Sequence, residues 1–191
     1  AGAAIAVEDR RRQVLLGLLF GGVTLLGMLN PVNFAPGIIF DGRSIVLSVA
    51  GVVGGGITAA IAAGMAAFYR YQLGGSGAKV GVLVVVVSAL LGVLARQWCQ
   101  RGDALPLPLK YLSLGVLVQL AQMVAFTQIP NHAGYIFIEQ AWWVLLLFYP
   151  LATMLLCLIF RDQELRLKEQ EALQAAQESA IRERTMLRSV I

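Results

Sequence analysis

Apolar positions along this chain come in long unbroken runs, and the polar positions gather between them. Gln13 to Leu29, Val80 to Trp98, Leu109 to Gln128 and Gln140 to Phe160 each approach the roughly 20 residues that carry a helix across a bilayer. They predict four crossings. A further run, Ser44 to Tyr71, is divided by Gly54, Gly55 and Gly56. It can be one long span, two short spans or a re-entrant hairpin. The predicted fold class is all-α: a polytopic transmembrane helix bundle of five to six membrane segments, one pair broken at a glycine turn, followed by a cytoplasmic coiled-coil helix.

The placement of charge bears on that choice, because short cytoplasmic loops collect Lys and Arg. Arg161, Arg166 and Lys168 follow the last span, and Arg96, Arg101 and Lys110 surround the connection between the second and third confident spans, whereas Ile129 to Glu139 holds neither Lys nor Arg. With the C-terminus inside, a single crossing by Ser44 to Tyr71 puts Arg10 to Arg12 outside. A fold-back puts that cluster inside, so the broken pair is the favoured reading. Composition agrees with a membrane protein: 58% of the residues are hydrophobic and 14% charged. Residues 1–12 read as an N-terminal tail, 13–160 as the membrane domain and 161–191 as a cytoplasmic helix. Asn30 and Pro31 follow the first span in place of a small-residue cleavage site, so that span is read as retained.

The fold-back also sets what two arginines can do. A straight helix holds Arg43 and Arg70 roughly 40 Å apart at about 1.5 Å per residue. Folded at the glycines, they become neighbours near an outward-facing mouth. Two guanidiniums there repel unless an anion or a carboxylate, Asp41 or a ligand, lies between them. The plainer alternative for each is a snorkelling anchor, and for the glycines, close helix packing. The stretch "PVNFAPGIIF", with Asn33, reads as a structured loop at that mouth, placed to act as a lid.

Other polar residues are sparse. Gln119 and Gln122 share one face of their span and need partners, either interhelical or a ligand; Met123 and Phe126 adjoin them and are able to wall a pocket. His132, the only histidine, and Glu139 do not make a metal site, and a solvated or capping role is expected of His132. Trp142 and Trp143 fit an interfacial belt. Cys99 and Cys157 imply neither disulfide nor metal and are read as packing residues. No phosphate-cradling loop, metalloprotease motif, nucleophile elbow or kinase signature is present, so the segment is not an enzyme by itself and implies no cofactor. The formal charge of +4 is explained by basic residues beside the spans, not by nucleic acid.

After Pro150 there is neither Pro nor Gly through Ile191, which predicts a last span continuing as a helix. Pro150 removes one intrahelical hydrogen bond and is a candidate hinge, with Gly54, Gly55 and Gly56 as the other. Leu173, Ala180 and Leu187 recur every seven residues, with Ala176 and Val190 at the complementary positions. Glu183 interrupts the seam and Leu165 is out of phase, so the expected dimeric coiled coil is weak.

The segments "PGIIFDGRSIVLSVAGVVGG", "AFYRYQLGGSG" and "SALLG" together resemble the LytS-type multi-transmembrane sensor domains of bacterial signalling proteins. The resemblance runs from about Asn30 to Phe160 and rests on Pro36-Gly37, Asp41 with Arg43, Gly54-Gly55, Tyr69-Arg70 and the Gly74-Gly75-x-Gly77 turn. It implies a multi-pass input module of the inner membrane, with a cytoplasmic C-terminus, that precedes a histidine kinase or diguanylate cyclase. Some members are similar to receptors for small carboxylates, whose anion-binding arginines fall here on Arg43 and Arg70. Tyr69, Asn33, Ser88, Gln119 and Gln122 complete the expected ligand set; Ser88 is the one polar partner in "VGVLVVVVSALLG". The final "RTMLRSVI" resembles the lead-in to a PAS domain, so an output domain is expected beyond it. The alternative implied by the same likeness is a solute-binding membrane subunit of a transporter.

Overall fold

The computed structural model describes residues 2–29, 32–35, 38–40, 42–75, 77–101, 105–129 and 133–189. Five helices carry the chain: α1 (Gly2–Leu29), α2 (Arg43–Leu73), α3 (Ala78–Gln100), α4 (Leu107–Phe126) and α5 (Ala133–Ser189). Among the described residues, all five are long and apolar enough to cross a membrane. The protein is an all-helical membrane bundle, with one small departure. The expected loop near the mouth is an antiparallel hairpin, β1 (Val32–Ala35) with β2 (Ile38–Phe40), in which Val32 opposes Phe40 and Asn33 opposes Ile39. Pro36-Gly37, between its two short apolar runs in sequence, lies outside the described residues. Helix α1 begins at Gly2, so the expected tail up to residue 12 is helical, and α5 begins at Ala133 rather than at Gln140.

Helix α2 is two helices joined end to end at Gly55, whose φ of 75° and ψ of −162° no right-handed helix contains. Contacts with α3 give the direction of each half. Arg70 lies against Gly81 and Gly55 faces Arg96, so fifteen residues of α2 (70 − 55) run antiparallel to fifteen of α3 (96 − 81). A straight continuation would carry Ser48 past the end of α3. Instead the Ser48 carbonyl packs on Gly92, and Gly51 sits against Ala89, Gly92 and Val93. Residues 43–54 therefore turn back along α3, as the broken pair required.

That returning half occupies the middle of the bundle. Leu47, Ser48 and Ala50 are fully buried, and Ile45 packs on the cluster formed by Val84, Phe126, Leu145 and Tyr149. Only glycines allow such close backbone approach at two of the contacts, since a Cβ on Gly51 would stand 2.7 Å from the Val93 nitrogen and one on Gly92 would meet the Ser48 carbonyl. Helix α1 covers the other half of α2 in parallel, through Gly17 against Ile61 and Gly21 against Met65. Thr58 Oγ1 donates to the Gln13 carbonyl at 2.8 Å. The N-terminal end of α1, with Arg10, Arg11 and Arg12, thus stands at the same end of the bundle as the Gly55 break, Arg96, Arg101 and Lys110.

The chain divides into two compact units, Ala1–Cys157 and Leu158–Ile191. The second is a solvated helix bearing the pairs Asp162–Arg166 (2.7 Å) and Glu164–Lys168 (3.0 Å). Such pairs, four residues apart, support a helix modestly. Of the expected seam, Leu173 is 65% exposed and Ala176 is exposed; the side chains of Ala180 and Leu187, and all of Val190, lie outside the described residues.

Candidate functional site

Arg43 is the first residue of α2 and is 6% exposed, while Arg70, near its far end, is 3% exposed. Arg43 stands 12 residues before Gly55 and Arg70 stands 15 after it. At about 1.5 Å per residue, the two lie roughly 18 and 22 Å from the break. Because the halves are folded together, their levels along the bundle differ by about one helical turn. The roughly 40 Å separation of a straight helix has disappeared.

Each guanidinium sits in a built environment. The N-cap of α2 is Gly42, which supplies no side-chain cap; its carbonyl accepts from Ile45 N (3.1 Å) and Val46 N (3.2 Å). The amides of Arg43 and Ser44 therefore belong to the positive end of a helix that starts inside the bundle. Beside them, Gln119 Nε2 donates to Ser44 Oγ at 3.4 Å, both residues being almost wholly buried, and Gln119 Oε1 has no hydrogen-bond partner among the described residues. Whichever way that amide is turned, one end meets Ser44 and the other remains for a further group. Arg70 Nη1 donates to the Gly74 carbonyl at 3.0 Å, and its Nε lies 2.5 Å from where a Cβ on Gly81 would stand. Gly81 is the space that Arg70 occupies. Tyr69 next to it is half-buried, Asn33 lies on β1, and Asp41 lies outside the described residues.

Ser88 and Gln122 belong elsewhere. They line a cavity of about 290 Å³ between α3 and α4, whose described walls include neither arginine nor Gln119. Met123 and Phe126 do not wall that cavity; Phe126 is part of the apolar cluster with Ala141, Leu145 and Tyr149, and Met123 packs against it. Pro150 is buried inside α5, with its Cα 2.5 Å from where a Cβ on Gly115 would be, so α4 bears directly on the proline. Trp142 and Trp143 are about half exposed, as belt residues are. Among the described residues neither Cys99 nor Cys157 forms a disulfide and no group of metal-binding side chains occurs, and His132 lies outside them.

Two cations read from the sequence as loop charges have more specific places. Arg96 Nη1 donates to the carbonyls of Val52, at 2.8 Å, and Val53. These are the last carbonyls of the first half of α2, left without helical partners by the break, and a guanidinium is the natural cap for that negative end. Gly56, by contrast, offers open space to a Cβ, whereas one on Gly54 would collide with the Thr58 side chain. The buried Lys110 ammonium reaches the carbonyls of Trp98 (3.4 Å) and Arg101 (3.3 Å) and lies 5.4 Å from the Trp98 ring centroid. It caps α3 in the same manner, with a cation–π contact added. The signal for Arg96 was legible in principle: a glycine break in a membrane orphans carbonyls, and a donor must come from somewhere.

Comparison with curated proteins and with solved structures finds no match. Comparison with family models matches residues 5–163 to the family described as 5TMR of 5TMR-LYT. The match spans every membrane segment, including the folded α2 and both buried arginines. The chain belongs to the 5TMR-LYT family, the multi-transmembrane sensor input domains of signalling receptors.

Proposed function

We propose that this sensor domain receives a small carboxylate-like anion through Arg43 and Arg70 and passes the event along α5 to a cytoplasmic output domain, a PAS module followed by a kinase or cyclase. The observation that carries the reading is the fold-back at Gly55, which brings two buried guanidiniums to nearly the same level of one bundle. Like charges so enclosed favour a shared anion. The N-terminus of a half-helix inside a membrane bundle is a recurring place for one. Ser44 and Gln119 supply neutral hydrogen-bonding groups beside Arg43, while Tyr69, Asp41 and Asn33 flank the site in sequence. Ser88 and Gln122 are left out of this site.

A route for the response follows from α4. Gln119 and Gly115 are four residues apart, hence on one face, so a shift of α4 at the Ser44–Gln119 contact is felt where Gly115 meets Pro150. A proline already lacks one helical hydrogen bond, which makes α5 most compliant there. The basic residues at the break end of the bundle support a cytoplasmic location for that end and for the C-terminus, in a bacterial inner membrane. Dimerisation through the helix after residue 160 completes the reading. Family membership favours sensing over solute transport.

Calorimetric titration of the full chain in lipid nanodiscs against short mono-, di- and 2-oxo-carboxylates tests this. Saturable heat with one class, lost in Arg43→Gln and in Arg70→Gln, is the expected result. Ligand binding unchanged in both variants would refute the arginine site.

A further inference from the structure

We infer that the cavity between α3 and α4 is a second binding site, for a neutral and mostly apolar molecule carrying one hydrogen-bond-donating group, entered sideways from the lipid. Its walls are aliphatic, chiefly Val84, Val87, Val118 and Ala121, and its polar groups are Ser88, Gln122 and Gln128. Gln122 is 6% exposed and its Oε1 has no hydrogen-bond partner among the described residues. An amide oxygen in hydrocarbon without a donor is strongly disfavoured, because no water stands in for the missing bond. A ligand hydroxyl would satisfy it, and the Ser88 hydroxyl lines the same cavity.

The chemistry of the walls selects the rest of the molecule. No charged side chain is among the described lining residues, so an ion entering would give up its hydration for nothing. Ser88 lies ten residues from the start of α3 (88 − 78) and twelve from its end (100 − 88), near the depth of the bilayer midplane. Two rim residues, Leu83 at 42% and Val124 at 64% exposure, face outward from helices that cross the membrane. The opening is therefore toward acyl chains, which only uncharged, lipid-soluble molecules traverse. A volume of about 290 Å³ is at the small end of ligand pockets. It suits a single short chain or one ring, not a two-chain lipid.

A diazirine-bearing decanol, photolysed with the full chain in phosphatidylcholine–phosphatidylglycerol nanodiscs and mapped by mass spectrometry, is the test. Saturable labelling of α3 and α4 around Ser88 and Gln122 is expected, with decanol competing at least about tenfold better than decyl methyl ether, which lacks the donor. Gln122→Leu should lose the labelling while melting no lower than the wild type, since it removes the unsatisfied amide; Ala121→Phe, which fills the cavity, gives a second and independent loss. Dioleoylglycerol, a two-chain alcohol, should compete poorly. Arg43→Gln should label normally, which separates this site from the anion site. Equal competition by alcohol and ether, or undiminished labelling in both Gln122→Leu and Ala121→Phe, would overturn the inference and leave a groove filled by lipid chains or water. So would loss of labelling in a folded Arg43→Gln.

Discussion

The guanidinium of Arg96 donates to the carbonyl oxygen of Val52, 44 residues earlier in the chain, at 2.8 Å. That bond joins the place where α2 reverses at Gly55 to the helix that runs beside both halves. A break in lipid leaves carbonyls that water does not reach, and their satisfaction decides whether the reversal is tolerated. Arg96 thus caps the reversal that returns Arg43 to the level of Arg70.

Removing this cap should cost stability. Arg96→Leu leaves the Val52 and Val53 carbonyls without their donor, and the loss should be on the order of 3 kcal/mol in a denaturant titration of the nanodisc-embedded protein. Arg96→Lys should recover part of it, because an ammonium offers a point charge in place of a fork. A variant as stable as the wild type would show that the break does not depend on the cap.

Gly55 and Gly56 should respond differently. Gly55, at φ 75° and ψ −162°, lies in a region that is essentially glycine's alone and costs another residue about 1–3 kcal/mol, so Gly55→Ala should destabilise by that amount. At Gly56 a Cβ meets nothing within 4 Å among the described residues. Gly56→Ala should be neutral, or stabilising by up to about 1 kcal/mol through helix propensity. Thermal melts of the two variants side by side read the difference.

Two glycines of α3 separate function from folding. Gly81→Ala crowds the Arg70 side chain from Cγ to Nε, a side chain and not backbone, and should leave the fold intact while lowering anion affinity by about tenfold. Gly92→Ala crowds the Ser48 backbone, which has no room to give, and should cost about 1–3 kcal/mol. Calorimetry and melting temperature together distinguish the two, and the opposite pattern would misassign both.

The seam after residue 160 has its own prediction. In a Cys99→Ser, Cys157→Ala background, Leu173→Cys should form an intermolecular disulfide at least several-fold faster than Glu171→Cys, which lies on the opposite face of the heptad. Equal rates would argue against a dimer through Leu173.

Much of the fold was legible because a bilayer imposes a length on every crossing. The apolar runs gave the helices, and the asymmetry of basic residues favoured the fold-back that α2 displays. The hairpin β1–β2 was read only as a loop, since its strands are three and four residues long and periodicity over so few positions carries little information. The site was legible in part. Arg43 and Arg70 were brought together in reading by the glycine break, whereas Ser88 and Gln122 were grouped with them and instead line a cavity of their own.

What the amino-acid sequence determined by itself was which segments are apolar enough to enter the membrane and where the basic residues gather; it favoured a break among Gly54, Gly55 and Gly56 over a single span. Only the tertiary structure decided that Gly55 makes the turn, that Arg96 caps it and that Gln119 faces Ser44 while Gln122 faces the α3–α4 cavity. The reason is the solvent. In lipid, a helix face turned outward and a face turned inward are both apolar, so the sequence pattern that betrays a buried face in water is nearly silent here, and neighbours are chosen by backbone approach and by polar groups that must find partners.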